Sequence, residues 1–422
     1  MGYTLQLTMT LTLKSKPVIA LDFRWFDAVN PGSGQYRYSV DLIRSLARLQ
    51  LEAEFVLLGS RLEPVAELQD IFKIPLNGWR YRQIPRRQMR GSYYLDHMRY
   101  VWLLKRERVN LLHALHTFIP LFSPCPVVAT QHDIMFELFP EYAEACRSRP
   151  YRIYKWALKH LASRIVCISE TTAADLQRLW GIPRSRINVV YHGTEFLNSR
   201  KRDEGILQKF TFAPTHPLLL SPYNLEPRKN IVPLLEALAL LRQKYTNLKL
   251  VLFGRAAVTQ EREREFNERL RQLGLEQAVL LTGLITDEEL ACLYGLATLF
   301  VFPSLYEGFG LPVLEAMASG ACVVARNASS MPEVIGSAGL LVETKDPDSL
   351  ASAIDRLLDR PALRRQLGDA GRERAAMFTT DQMAQRTFET YMSALNWSLV
   401  PSTVSRECLK DRFNEKTADI IR

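Results

Sequence analysis

Short runs of apolar residues alternate with amphipathic stretches along most of the chain. In the first half, apolar runs at 16–23, 54–59, 126–131, 164–169 and 187–193 predict buried strands. Patterns with the helical period lie between them. Strands that alternate with helices predict a parallel sheet with helices on both faces.

The alternation stops at the charged, proline-containing stretch 198–217 and then restarts. Helices are predicted at 231–244 and 287–296, and the second set of strands is predicted at 218–223, 248–254, 278–283, 298–304 and 321–326. We therefore predict two doubly wound α/β domains, at 1–205 and 206–385, and a C-terminal helix and tail at 386–422. Ligands of such sheets bind outside the carboxyl ends of the strands, so the cleft between the domains is the expected site.

Composition narrows the class of protein. The 422 residues are 47% hydrophobic and 23% charged, which is typical of a globular protein with two or three domains. No apolar run is long enough to span a membrane, and residues 1–13 lack the positive charge of a signal peptide. The six cysteines have no CxxC spacing, which favours a reducing, cytoplasmic location without disulfides or zinc. The net charge of +9 allows an acidic partner but selects none.

The segment PSLYEGFGLPVLEAMASG (303–320) follows a predicted strand and carries two carboxylates. Glycines allow close backbone approach to a ligand, and Pro312 suits the first turn of a helix whose free N–H groups favour an anion. Glu307 in the loop and Glu315 in the helix could each bind the hydroxyl groups of a ring on either side of a phosphate. A nucleotide sugar has that layout. The alternative is that Glu315 only stabilises the start of the helix.

Arg228 and Lys229 follow the strand predicted at 218–223. An arginine fork and a lysine charge stabilise a diphosphate leaving group without a metal ion. A solvated surface pair is the alternative. The DxD spacing at 346–348 is better explained by Asp346 as a helix cap before Pro347. His113 and His116 have a spacing that could bind metal but lack acidic neighbours, so we predict no metal site and no cofactor.

The segment SLYEGFGLPVLEAMASG resembles the signature of retaining glycosyltransferases of family four, which have two Rossmann-like domains (the GT-B fold). The similarity extends over about residues 16–395, and it includes NLEPRKNI (224–231), LTGLITDEELACLY (281–294) and ATQHDIMFELFP (129–140). The resemblance implies that Glu307 contacts the transferred sugar and that Glu315 contacts the ribose. It implies further donor contacts and an acceptor-side His-Asp pair, at Gly34, Arg228, Lys229, Leu284, Phe309, Gly310, Leu311, His132 and Asp133.

Two details limit the assignment. The loop GSGQYRY departs from GxGxxG because Arg37 stands at the third glycine position, so dinucleotide binding is poorly supported. The family implies front-face attack in which the leaving phosphate helps to remove the acceptor's proton. Apart from His132 and Asp133, the sequence offers no obvious general base.

Residues 79–108 carry nine basic residues against two acidic ones, with interleaved aromatic residues. This pattern suits an anionic membrane surface, but it also suits single-stranded nucleic acid or a solvated helix with core aromatics. We favour the membrane surface and no nucleic-acid partner.

The function predicted by the resemblance is transfer of a hexosyl unit from a nucleotide sugar to a saccharide acceptor, which we expect to be lipid-linked, in bacterial polysaccharide synthesis. The blocks HDIMFELFP and PSLYEGFGLP look most like bacterial mannosyltransferases of polysaccharide assembly, which suggests GDP-mannose as the donor. A nucleotide-sugar epimerase of the same fold and a non-enzymatic basic nucleic-acid-binding protein are the alternatives.

Overall fold

The computed structural model describes residues 16–24, 33–59, 71–84, 92–116, 119–194, 216–254 and 259–396, with the backbone alone for 92–97. The predicted division between 205 and 206 lies outside these residues. The first sheet contains β1 to β7, which are Val18–Asp22, Glu54–Gly59, Arg80–Gln83, Leu111–Ala114, Val127–Gln131, Ala162–Cys167 and Ile187–Val189. The second sheet contains β8 to β13, which are Leu218–Pro222, Lys249–Phe253, Val279–Gly283, Leu299–Phe302, Val323–Arg326 and Leu340–Val342.

Both sheets are parallel throughout and have a doubly wound strand order, β3-β2-β1-β4-β5-β6-β7 and β10-β9-β8-β11-β12-β13. The apolar runs became the central strands because helices cover both faces and leave no side of the strand to water. The edge strands β3 and β13 were not predicted. Both are only half-buried, so they lack the continuous apolar run of the central strands. The predicted α/β class with two parallel sheets is confirmed.

The described helices connect these strands, and short polar caps fix several of their first residues. Ser33 caps the first helix, Thr286 forms a capping box with Glu289, and Asp346 caps a helix through two backbone N–H groups. Numbered in chain order, helices α1 to α14 are Gly34–Arg48, Ser92–Arg106, Met135–Leu138, Ala143–Arg147, Arg149–Leu161, Glu170–Trp180, Ile231–Arg242, Gln260–Gln272, Asp287–Leu296, Leu311–Ala318, Met331–Ile335, Pro347–Leu358, Pro361–Ala375 and Thr380–Ala394. No helix in this part of the chain has the length and hydropathy needed to cross a bilayer.

The last helix, α14, returns to the first domain. The Tyr391 hydroxyl lies 2.7 Å from Nδ1 of His113, and Arg48 of α1 lies 3.1 Å from Asp381. The chain passes so close to Gly193 that a Cβ there would lie 2.2 Å from the carbonyl carbon of Thr379. The helix therefore begins before residue 386 and links the two domains through packing as well as through the backbone.

The carboxyl ends of the two sheets face each other and are in contact. The Tyr306 hydroxyl of the second domain donates to Asp175 of the first at 2.9 Å, and Glu333 accepts hydrogen bonds from the backbone N–H groups of Glu170 and Thr171 at 2.8 and 3.0 Å. These contacts join the two domains near the residues described next.

Candidate active site

The loop that carries Glu307 joins β11 to α10. Ser330 fixes its shape, because its hydroxyl donates to the carbonyl oxygens of Glu307 and Phe309 at 3.1 and 2.8 Å. Gly310 is the N-cap of α10 and has a φ of +97°, where a Cβ would lie 2.3 Å from Cε of Met331. Helix α10 therefore begins one residue after the glycine, close to the predicted position.

Three buried residues of the loop have backbone N–H groups without an acceptor in the described part of the chain. No described residue accepts a hydrogen bond from the backbone N–H of Phe309, Gly310 or Leu311. The Phe309 ring is buried against Tyr191 and Phe378. The backbone N–H is therefore the group through which Phe309 could contact a ligand. Three donors at a helix N-terminus favour a phosphate oxygen.

Glu307 lies beside the two predicted cations. Lys229 Nζ is 2.6 Å from its Oε1, and Arg228 is 3.4 Å from its Oε2. Both cations belong to the short 3₁₀ turn Pro227–Lys229 after β8, and Glu226 holds Arg228 at 2.7 Å. Burial raises the pKa of Glu307, but the charges of Lys229 and Arg228 more than offset burial and hold it below its usual value. Glu307 is therefore an ionised carboxylate next to two cations.

The predicted pair of His132 and Asp133, in the first domain, lies next to the Glu307 loop. Gly308 packs directly on the end of β5, since a Cβ there would lie 2.0 Å from the carbonyl oxygen of His132. Burial lowers the pKa of His132 to about 4, so its imidazole is neutral at pH 7; its Nε2 lies 3.2 Å from the carbonyl oxygen of Leu115. Burial raises the pKa of Asp133, and the charges of Arg228, Lys229 and Glu307 all act on it.

Glu315 makes a contact that the sequence did not predict. It is 2% exposed, accepts a hydrogen bond from the Tyr294 hydroxyl at 3.1 Å and pairs with Arg37 of the first domain at 2.6 Å. Arg37 also pairs with Asp287 at 2.5 Å. Burial raises the pKa of Glu315 to about 7, against the opposing effects of Arg37 and Tyr294. Arg37 was noticed only as a replacement for a glycine, because residues 278 positions apart give no local signal of pairing.

Gly34 and Leu284, the two remaining predicted donor contacts, lie where the space is open. Gly34 is the first residue of α1, and a Cβ there would meet no described atom within 4 Å. Leu284 follows β10 and is 72% exposed. Neither protein packing nor backbone strain explains the glycine at position 34.

The predicted helix cap at Asp346 is confirmed. The Asp346 carboxylate accepts hydrogen bonds from the backbone N–H groups of Asp348 and Ser349, so the DxD spacing belongs to a helix cap. His113 and His116 are buried. Among the described residues, no group of three or more histidine, cysteine or acidic side chains is arranged to hold a metal ion.

The basic segment 79–108 is only partly an open surface. Glu107 pairs with Arg80 at 3.2 Å and with Arg82 at 2.6 Å. Tyr100 is fully buried and donates to Asp22, whereas Trp102 is 57% exposed. Arg86, Arg87 and Arg90 and the side chains of Tyr93 and Tyr94 lie outside the described residues.

Known proteins match this chain over most of its length. The glycosyl transferases group 1 family matches residues 203–374, and the Glycosyltransferase Family 4 model matches residues 32–196. The O-antigen chain mannosyltransferase B of Escherichia coli is 30% identical over 375 residues, covering 86% of this chain and 96% of the relative. The MMP alpha-(1->4)-mannosyltransferase of Mycolicibacterium hassiacum is 31% identical over 284 residues, covering 64% and 66%. The chain therefore belongs to glycosyltransferase family four, whose two domains these models describe, and is a glycosyltransferase.

Solved structures show the same architecture. HepE of Anabaena, solved in complex with UDP and glucose, has a TM-score of 0.72 at 20% identity and covers 89% of this chain and 100% of its own. WaaG, a glycosyltransferase involved in lipopolysaccharide biosynthesis, has a TM-score of 0.63 at 18% identity and covers 87% and 98%. At these identities the likeness establishes the GT-B fold alone, and the predicted fold is confirmed.

Proposed function

We propose that the protein transfers a mannosyl unit from GDP-mannose to a saccharide acceptor with retention of anomeric configuration and without a metal ion. The observation that carries the proposal is the convergence of Glu307, Arg228 and Lys229 beside the three loop amides that have no described acceptor. The names of the relatives support mannose as the sugar. The acceptor is a lipid-linked saccharide of bacterial surface polysaccharide or lipopolysaccharide synthesis.

Each group has a role that follows from its chemistry. The amides of Phe309, Gly310 and Leu311 bind the distal phosphate, and Arg228 and Lys229 stabilise the diphosphate as the glycosidic bond breaks. Glu307, ionised beside those cations, accepts hydrogen bonds from hydroxyls of the transferred sugar. Glu315 accepts hydrogen bonds from the ribose hydroxyls, which replace its ion pair with Arg37 when the donor binds.

The acceptor approaches from the side of His132 and Asp133. Attack on the same face that the diphosphate leaves keeps the configuration, and the departing phosphate oxygen takes the acceptor's proton. Neither glutamate is a nucleophile in this scheme, because each has hydroxyl groups as its partners. Retaining glycosidases, which use a carboxylate nucleophile, therefore differ in mechanism.

The test is Lys229→Ala with donor at saturation. Loss of one electrostatic contact to the leaving group lowers turnover by about 100- to 1,000-fold. Lys244→Ala is the matched control, because Lys244 is also a lysine in an ion pair, with Asp355 and Asp359 at 2.9 and 2.6 Å, but lies on an exposed surface of the second domain. Wild-type turnover in the Lys229 variant refutes the assignment.

Donor, acceptor and metal are tested together by product analysis. A panel of nucleotide sugars identifies the donor. We expect transfer from GDP-mannose to persist when a chelator removes divalent metal ions. Release of free sugar or of an epimer that does not depend on acceptor would instead favour an epimerase. An anomeric configuration inverted in the product would refute retention.

We further propose that the protein works at the cytoplasmic face of the membrane as a peripheral protein, where a lipid-linked acceptor is available. The basic segment 79–108 provides one surface for this contact, through the positions that are not paired with Glu107. Replacement of Arg86, Arg87, Arg90 and Arg99 together by Gln should then lower binding to anionic vesicles.

A further inference from the structure

A second basic surface lies on the first domain, at a segment to which no function has been assigned. From residue 147 to residue 164 the chain has six basic residues and no Asp or Glu. Within α5, Arg149, Arg152, Trp156 and His160 are spaced by three or four residues and so lie on one face of the helix. All four are exposed, and the ring of Trp156, 51% exposed, lies 5.4 Å from that of His160.

The opposite face of α5 is engaged in the domain core. Ala157 and Leu158 are buried, and Tyr154 packs edge-on against Trp180 at 6.2 Å. Lys155 is paired with Glu137 at 2.7 Å. The helix is thus held rigidly by one side, while its arginine and tryptophan side faces away from the protein.

An open groove of about 690 Å³ lies along this exposed side. Its lining combines apolar contacts with three guanidinium groups, and consists of Leu121, Arg147, Arg149, Arg152, Ile153 and Trp156. Phe122, which follows the lining residue Leu121 in the chain, is 67% exposed. No described carboxylate pairs with the three arginines, although the exposed Glu141 and Glu144 in the preceding turn reduce the local charge.

Guanidinium forks bind phosphate oxygens through two hydrogen bonds, and tryptophan prefers the boundary between headgroups and acyl chains. A groove that offers both beside exposed apolar side chains is complementary to the surface of an anionic bilayer rather than to a free anion. We propose that this groove, lined by Arg147, Arg149, Arg152 and Trp156, binds the phosphate headgroups of an anionic lipid bilayer.

The groove is connected to the cleft through the segment that precedes it. The Tyr142 hydroxyl donates to Glu226 at 3.2 Å, and the Phe139 ring lies 6.3 Å from that of Tyr306. Glu226 in turn holds Arg228, which the proposed function places at the leaving group. A bilayer bound at α5 therefore lies against the first domain, to which the proposed function assigns the acceptor. The purpose of the surface rests on that proposed function, but the measurement of vesicle binding does not.

The test measures binding of the full-length protein to vesicles of phosphatidylcholine with about a third phosphatidylglycerol, at low salt and without donor. The variant is the triple replacement of Arg147, Arg149 and Arg152 by Gln. We expect its affinity for these vesicles to fall on the order of 100-fold, since each basic group near an anionic leaflet contributes about one factor of five. Trp156→Ala should weaken the binding that persists at high salt.

The matched control removes the same charge from the second domain, by replacing the exposed Arg264, Arg271 and Arg365 with Gln. Vesicle binding unchanged in this control and lost in the groove triple supports the proposal. Equal losses in both triples, or a loss confined to the quadruple variant in 79–108, overturn it. Binding of inorganic phosphate with no preference for vesicles also overturns it.

Transfer to a water-soluble saccharide acceptor separates this proposal from the proposed function. The groove triple should keep full transfer to such an acceptor, because none of its positions lies at the leaving group. Wild-type protein that binds vesicles through the groove but transfers no sugar would refute the proposed function alone. Wild-type protein that transfers sugar but binds no anionic vesicles would refute the groove, and with it the proposed membrane contact of 79–108, but not the proposed transfer reaction.

Discussion

Replacing Glu315 by Gln should change how the stability of the protein depends on pH. Burial raises the pKa of Glu315 from its ordinary value of 4.5 to about 7. An acid whose pKa is raised in the folded state binds more protons there than in the unfolded chain, between those two values. Its contribution to stability is therefore complete below about pH 4.5 and is lost as the pH rises through about 7.

The magnitude follows from the pKa difference. Each pKa unit corresponds to about 1.4 kcal/mol, so Glu315 should cost the wild type about 2 to 3 kcal/mol of unfolding free energy between pH 5 and pH 8.5. Gln has nearly the same shape but does not titrate. Its single carbonyl oxygen accepts from Arg37, and its NH2 group donates to the hydroxyl oxygen of Tyr294 in place of the bond that Glu315 accepts. The variant should lose this component of the pH dependence.

The assay is urea unfolding of wild type and variant at pH 5, 7 and 8.5, and the quantity of interest is the difference between the two proteins at each pH. Taking this difference removes the contributions of all other titrating groups. Glu343→Gln is the control, because backbone N–H donation from Lys345 lowers the pKa of Glu343, so any pH dependence that Glu343 contributes has the opposite sign to that of Glu315. An identical pH dependence in wild type and Glu315→Gln would refute the reasoning.

Three further predictions concern the cleft. Arg37→Met should destabilise the protein more at pH 8.5 than at pH 6 in the same urea assay, because it leaves buried Glu315 without its cation; Arg48→Met, which removes an exposed pair with Asp381, should cost only about 0 to 1 kcal/mol at either pH. Glu307→Gln should lower kcat while calorimetry shows nearly unchanged binding of the nucleoside diphosphate, and equal losses in both would contradict its role at the transferred sugar. Gly308→Ala should hold the domains apart, since its Cβ would lie 2.0 Å from the carbonyl oxygen of His132; an unchanged radius of gyration by small-angle scattering would count against this, and Gly34→Ala, in open space, serves as the control.

The sequence by itself determined the class of fold and the positions of most central strands. Apolar runs such as 218–223 and 298–304 became β8 and β11 because a strand covered on both faces must be apolar along its whole length. The helix start after Gly310 could also be predicted, since Pro312 suits the first turn of a helix and glycine readily adopts the positive φ of this N-cap. These features depend on residues near one another in the chain.

The tertiary structure alone decided which charges meet. Lys229 pairs with Glu307 across 78 positions, and Arg37 pairs with Glu315 across 278. It also decided that Arg80 and Arg82 pair with Glu107, while the arginines at 147, 149 and 152 line an open groove. A charge run has the same composition in either case, because pairing and exposure depend on how distant segments pack and the local sequence carries no record of that packing.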